Sequence, residues 1–306
     1  MKVAFAGTPD FANTVLRGLV SSDHEVGLVV SQPDARKGRG RRAQPTPVAE
    51  LARNLDLPLR QPARISEVAG EISAHDALVV AAYGQILRPD TLYAANKGAW
   101  NVHASLLPKY RGAAPIERSI MIGETESGVT VIRMDEGLDT GPMALQRPIP
   151  IPPDMTGGEL TELLARLGAE VIVEVLDQIE AGTVNLIEQD SLHATYAPKL
   201  TDEDLVIRWD RSAVEVANLV RALSPHEGAR TFHPGIEGPV KIWRSTIFAG
   251  EAPALETGAI RTENGRILVG CSFGVLEVLE LQMPGGKRLA ARDFLRGNAL
   301  EGKFDP

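Results

Sequence analysis

Three short apolar runs, residues 3–6, 26–30 and 77–82, constrain the fold of this 306-residue chain more than any other feature. None contains a polar position. A strand of that kind has to be covered on both faces. Between the runs lie segments that read as helices, residues 11–19 and 47–54, the first capped by Thr8 or Asp10. Doubly buried strands alternating with helices predict a parallel α/β sheet with helices on both sides. Residues 100–103 read as the next strand, and 130–134 and 143–150 as later strands near a sheet edge. A long helix is expected over 158–180, from Leu160, Leu163, Leu164, Leu167, Val171, Val175, Leu176 and Ile179, stopping at Gly182.

The pattern changes after residue 188. Residues 189–204 are polar and carry Pro198, the composition of a linker. Residues 212–223 form an amphipathic helix. From Arg230 onward come short β-like runs, 240–243, 258–261, 267–269 and 275–281, split by glycine-bearing turns. Then follow a turn at 285–288 and a last helix over 290–295. That spacing predicts a small barrel or sandwich. The expected organisation is therefore an α/β domain over 1–188, a linker over 189–204 and a β domain over 205–306.

Composition narrows the class. Hydrophobic residues make up 43% and charged residues 24%, enough to bury a sizeable core. The net charge of −8 gives no global attraction to a polyanion, so nucleic acid would need a local basic patch. The charge is uneven. Residues 205–306 hold 13 Lys+Arg and 12 Asp+Glu, whereas residues 1–204 hold 19 and 28. Cys271 is the sole cysteine, which fits a reducing compartment. With neither a signal-peptide pattern nor a run of roughly 18 apolar residues, a cytoplasmic protein that avoids membranes is expected.

Several chemistries fail on their residues. Gly7-Thr8-Pro9-Asp10 follows the first strand but supplies one glycine where a dinucleotide site needs three, so no nicotinamide is expected. The six histidines offer no pair at metal spacing, so no metal is expected either. Ser105 lacks the flanking glycines of a nucleophile elbow.

Two features remain. Five of the seven residues from Arg36 to Arg42 are cationic: Arg36, Lys37, Arg39, Arg41 and Arg42. They make either a solvated loop or an arm that contacts phosphates. The other feature is Asn101-Val102-His103, followed by Asp139 in a glycine-flanked turn. Asn101 and His103 are two apart, so on a strand they share a face. They fall near the carboxyl end of a central strand, where open α/β sheets bind ligands. An amide can donate to a developing oxyanion. An imidazole can move protons near neutral pH. A carboxylate can orient that imidazole and stabilise its charged form. Together they suit acyl transfer without a covalent intermediate, although spacing alone leaves a chance histidine open.

Asn101-x-His103-x-Ser105-Leu106-Leu107-Pro108, with Asp139 in Leu-Asp-Thr-Gly, resembles the formyltransferase family that uses 10-formyltetrahydrofolate. Longer strings resemble the branch whose acceptor is methionyl initiator tRNA. These are residues 5–12, Gln32-Pro33-Asp34, residues 81–87, Arg111-Gly112-Ala113-Ala114-Pro115-Ile116 and Ala197-Pro198-Lys199-Leu200. The likeness covers essentially the whole chain. It implies a Rossmann-like formyltransferase domain without a dinucleotide, followed by an OB-like barrel. It implies Asn101, His103 and Asp139 as the catalytic trio. Ser105, Leu106, Leu107 and Pro108 would contact the folate, and Tyr83, Gly84, Gln85, Ile86 and Leu87 would line its pterin pocket. Arg36–Arg42, with Arg39 central, would enter the acceptor stem of the tRNA. The co-substrate would be 10-formyltetrahydrofolate, with neither metal nor nicotinamide, and the enzyme a monomer. The chain departs from the family at Pro225-His226-Glu227-Gly228, where a Pro-Trp-Pro stretch is common. That change bears on tRNA contacts and leaves the chemistry untouched.

Two other functions compete. A formyltransferase acting on a sugar or nucleotide amine would share the chemistry but has no need of the basic arm and the full β domain. A non-catalytic RNA-binding protein would have no use for Asn101, His103 and Asp139 together.

Overall fold

A computed structural model of the chain describes residues 1–36, 43–250 and 254–305. It divides into two compact units: Met1–Pro115 with Glu126–Pro150 and Thr161–Pro198, and Ile116–Thr125 with Ile151–Leu160 and Lys199–Pro306.

The first unit is built on a seven-stranded sheet in the order β5-β2-β1-β6-β7-β8-β9. Its strands are β1 (Lys2–Gly7), β2 (Glu25–Val30), β5 (Leu59–Arg60), β6 (Ala77–Ala81), β7 (Ala99–His103), β8 (Glu126–Arg133) and β9 (Met143–Pro150). A two-residue ladder, β3 (Ala35–Arg36) with β4 (Ala43–Gln44), stands apart from it. The strands from β5 to β7 run parallel; β8 is antiparallel to β7, and β9 is antiparallel to β8. The chain leaves β1 towards β2 and returns on the other side at β6, which makes a switch point between β1 and β6.

Burial explains the apolar runs. Ala4, Ala6, Leu28, Val30, Leu78 and Val80 share one cluster with Ile65, Val68, Ile72 and Leu92. The alternate residues Val3, Phe5, Val29 and Val79 are buried as well and face the opposite side. The helix Asp10–Val20 lies close to the long helix Gly157–Ala181, for a Cβ on Gly18 would come within 2.5 Å of that of Ala169. Gly7 is needed for the same reason: a Cβ there would meet Ala12 at 2.6 Å and the Phe5 ring at 2.7 Å. Its role is close packing of strand on helix.

Strand β8 begins four residues before the expected 130. The missed portion contains Ser127 and Gly128, both poor strand signals. Gly128 is there because a Cβ would come within 2.4 Å of both the Arg147 carbonyl oxygen and Leu106.

The second unit carries an antiparallel sheet in the order β10-β11-β14-β13-β12, with β15 on β14. These are β10 (Ala229–His233), β11 (Ile236–Ile247), β12 (Ile260–Glu263), β13 (Arg266–Gly270), β14 (Val275–Gln282) and β15 (Arg288–Ala290). Strand β11 runs twelve residues where four were expected. Gly238 and Pro239 hid its start, and its register shifts around Arg244. The helix Ala213–Leu223 starts with a capping box between Ser212 and Glu215. Its Val216, Val220 and Leu223 join a core with Ile242, Leu276 and Phe294. Trp209 is fully buried there, stacked on Phe304 at 5.4 Å between ring centroids.

Arg118 and Asp204 form a bidentate pair in this unit, with both N–H···O contacts at 2.7 Å. The Arg118 bonds, joined by those from Thr201, outweigh desolvation and pull the Asp204 carboxyl down to about 2. A carboxylate lowered on folding stabilises the fold above its unfolded value and loses that contribution as pH falls. Wild type should therefore melt above Asp204→Asn at pH 7, and the gap should close between about pH 4 and pH 2. Thermal melts of both proteins across that range would check this; a gap unchanged at pH 2 would contradict it.

Candidate active site

The carboxyl ends of β1, β2 and β6 converge on one atom. The Tyr83 carbonyl accepts from the Thr8 hydroxyl and the Gln32 side-chain amide, each at 2.9 Å. Ala82 before it and Gly84 after it have φ of +43° and +85°, so the chain turns sharply at this edge. Strand β7 ends alongside. Asn101 and His103 point to one side, while Val102 points to the other, towards Gly168 of the long helix Gly157–Ala181.

His103 is 5% exposed. Its Nε2 lies 2.8 Å from the Tyr110 carbonyl. A carbonyl only accepts, so Nε2 carries the hydrogen. Nδ1 faces Asp139 Oδ2 at 3.7 Å, within ion-pair range but beyond a hydrogen bond. The bond that orients the ring thus comes from Tyr110, where sequence reasoning assigned orientation to the carboxylate. The Asp139 carboxylate accepts from Asn101 Nδ2 at 3.1 Å and from the Gly112 N–H at 2.8 Å. One N–H of the Asn101 amide is thereby taken and the other remains.

Backbone strain gathers at this place. Ala82, Tyr110 and Asp139 are left-handed, three of the five non-glycine residues so placed among the described residues. Each costs on the order of 1 kcal/mol, and such strain tends to collect at functional sites. Gly112 has φ +117°, and a Cβ there would come within 2.8 Å of the Ala197 carbonyl oxygen.

The residues expected to meet the folate divide into two groups. Ser105 is buried, its hydroxyl donating to the Lys109 carbonyl at 2.7 Å. The Thr130 hydroxyl donates to the Ser105 carbonyl and accepts from the Leu107 N–H, and Gln146 donates to the Leu107 carbonyl. Ser105 and Leu107 thus build the turn, while Leu106 and Pro108 stay partly exposed. In the second loop Tyr83 and Leu87 are buried in the core. Desolvation and the Glu67 charge push the Tyr83 phenol up to about 12, and among the described residues its hydroxyl has no hydrogen-bond partner. Both ends of the Gln85 amide are occupied, by the Ile65 N–H and the Ala63 carbonyl. Ile86 is 89% exposed and open to contact.

The cationic run lies largely outside the described residues: Lys37, Arg39, Arg41 and Arg42 do, as does the side chain of Arg36. Among the described residues one donor group has metal-like spacing, His24 with Asp177 and Glu180. None of these belongs to the Asn101–His103–Asp139 group.

Comparison with known proteins settles the family. The formyl transferase model matches residues 1–176, and the formyl transferase C-terminal domain model matches residues 199–299. A methionyl-tRNA formyltransferase of Rubrobacter xylanophilus is 68% identical over 99% of each chain. The chain belongs to the methionyl-tRNA formyltransferase family. A second member, from Pelotomaculum thermopropionicum, is 43% identical over 98% of this chain and 96% of its own. The fold is shared more widely. An N-formyltransferase from Helicobacter canadensis, solved with folinic acid and dTDP-3-aminofucose, superposes at TM-score 0.68 with 18% identity, covering 94% of this chain and 100% of that one. Among the described residues of this family member, no helix is long and apolar enough to cross a membrane.

Sequence reasoning missed Thr8, Gln32, Tyr110, Thr130 and Gln146 as parts of the site. Thr8, Gln32 and Tyr110 lay in or beside strings already quoted. Their roles rest on backbone carbonyls, which carry no signature in residue type.

Proposed function

We propose that this protein transfers the formyl group of 10-formyltetrahydrofolate to the α-amino group of methionyl initiator tRNA, for translation initiation. The observation that carries the chemistry is the convergence of Asn101, His103 and Asp139 beyond the switch point, with one imidazole nitrogen committed and the other facing a carboxylate.

An α-amine titrates near about 8, so a useful neutral fraction exists at pH 7. That amine attacks the formyl carbon held on N10 of the folate and gives a tetrahedral oxyanion. The remaining N–H of Asn101 donates to the oxyanion. Nδ1 of His103 takes the proton from the attacking amine, because Nε2–H is held by Tyr110. The imidazolium so formed lies beside the Asp139 carboxylate. His103 then passes the proton to N10 as the carbon–N10 bond breaks, leaving tetrahydrofolate and formylmethionyl-tRNA. Leu106, Pro108, Gln85 and Ile86 are the partly or fully open side chains in the two loops assigned to the folate, the Gln85 amide being already bonded at both ends. Arg36–Arg42 is assigned to the tRNA acceptor stem, where phosphate contacts would offset the overall negative charge. The substrates place the activity in the cytoplasm. A single chain supplies every group invoked, so the enzyme is taken as a monomer.

The deciding assay is formylation of charged initiator tRNA with 10-formyltetrahydrofolate, with charged elongator methionine tRNA alongside. Rapid formylation of the initiator alone is expected. Formylation of neither tRNA, with the folate still binding, would move the acceptor to a sugar or nucleotide amine.

A further inference from the structure

We infer that Gln189 is a positioning residue for Asp139, locked in the working orientation by the buried cation of Arg111. The assignment rests on the reading of Asp139 given above and adds a residue from the stretch whose composition suggested a linker.

Arg111 is 3% exposed. Its backbone is bonded on both sides to the chain opposite: its N–H donates to the Thr195 carbonyl at 2.9 Å, and its carbonyl accepts from the Ala197 N–H at 2.7 Å. Its guanidinium sends Nε and Nη2 to one acceptor, Gln189 Oε1, at 3.1 and 2.8 Å. A guanidinium only donates, so it compels the Gln189 amide to present its oxygen. The amide nitrogen must then face the other way. There it donates to two carbonyls of the catalytic turn, Asp139 at 2.7 Å and Gly141 at 2.8 Å. Carbonyls only accept, so the two ends of the amide are chemically matched and a flipped amide would clash at both.

The turn needs such a hold. Asp139 is left-handed, with φ +53°. Its side chain is tied to Gly112, the residue next to Arg111. Residues 111–112 therefore grip Asp139 twice, directly at the carboxylate and through Gln189 at the backbone. Gln189 is brought within reach by a short antiparallel bridge between Ile187 and Met143, whose N–H and C=O groups bond reciprocally at 2.8 and 2.9 Å. Losing the amide donors frees the turn that sets the 3.7 Å approach of Asp139 to His103, and misplacement of a reacting group by about 1 Å can cost on the order of 10²-fold.

The test compares wild type, Gln189→Met, Gln189→Glu, Asp139→Asn and the Asp139→Asn/Gln189→Met double variant in the initiator-tRNA formylation assay. Gln189→Met keeps the volume but removes both the amide donors and the oxygen that accepts from the buried Arg111, so it should also melt lower. Gln189→Glu offers Arg111 a better partner yet sets oxygen against the two carbonyls, so it keeps the fold and fails the turn. Both should lower kcat by roughly 10- to 10²-fold, with KM for the folate little changed in either and the melting temperature little changed in Gln189→Glu, which keeps an acceptor for Arg111. On the Asp139→Asn background, Gln189→Met should change kcat by less than about two-fold. Near-normal kcat in both Gln189 variants, a loss carried by KM, or effects that multiply in full with Asp139→Asn would each overturn the proposal. Near-normal turnover by Asp139→Asn alone would instead remove the role given to Asp139, a failure visible before any Gln189 variant is measured.

Discussion

His103→Ala should lower kcat for formylation by on the order of 10²–10⁴-fold, the span expected when a positioned proton relay is removed. The loss should appear in kcat more than in KM for the folate, because the imidazole is called on as the amine attacks and N10 departs. The geometry explains why no neighbour can substitute. Nε2–H is anchored to Tyr110 and Nδ1 faces Asp139, and His103 is the one imidazole that these contacts hold at the end of β7. The alanine also removes the imidazole bond to the Tyr110 carbonyl, so a melt should accompany the kinetics to separate lost chemistry from lost structure. Steady-state formylation at saturating tRNA is the measurement. A kcat within a few-fold of wild type would remove His103 from the mechanism.

Trp209→Ala should destabilise the second unit by about 3–5 kcal/mol, the range for deleting a large aromatic from a core. Trp209 is wholly buried and does three things at once. It stacks on Phe304 with the rings within 7° of parallel. Its Nε1–H donates to the buried Thr231 hydroxyl at 2.9 Å. It also belongs to the same buried core as Val216 of the helix Ala213–Leu223 and Ile242 and Leu276 of the sheet. Alanine leaves a cavity, a ring without its partner and an unsatisfied hydroxyl. Trp209→Phe should lie between the two, keeping most of the packing but stranding Thr231. Denaturant unfolding of the three proteins tests the order. A loss below about 1 kcal/mol for alanine would mean that the core collapses into the space.

The apolar runs at β1, β2 and β6, alternating with helices, determined a parallel sheet covered on both faces, because strands with no polar position have to be buried on each side. The two-residue spacing of Asn101 and His103 determined that they share a face. Family strings along the chain supplied the chemistry, which spacing alone left open. What the sequence could not express is how distant carbonyls and amides meet. Tyr110 orients His103 through its backbone oxygen, and any residue type has that oxygen. Asp139 reaches His103 because a left-handed turn is held by Gly112 and Gln189. Gln189 itself sat in a polar stretch whose composition matched a linker, and only its approach to Arg111 gives its amide a direction. Strand β11 was read too short because Gly238 and Pro239 weaken the local pattern, while pairing with β10 and β14 carries the strand through them. Periodicity and residue type are local quantities and decide which faces are buried; the positions of hydrogen-bond donors and acceptors in the site depend on contacts across tens of residues, and those exist only once the chain is folded.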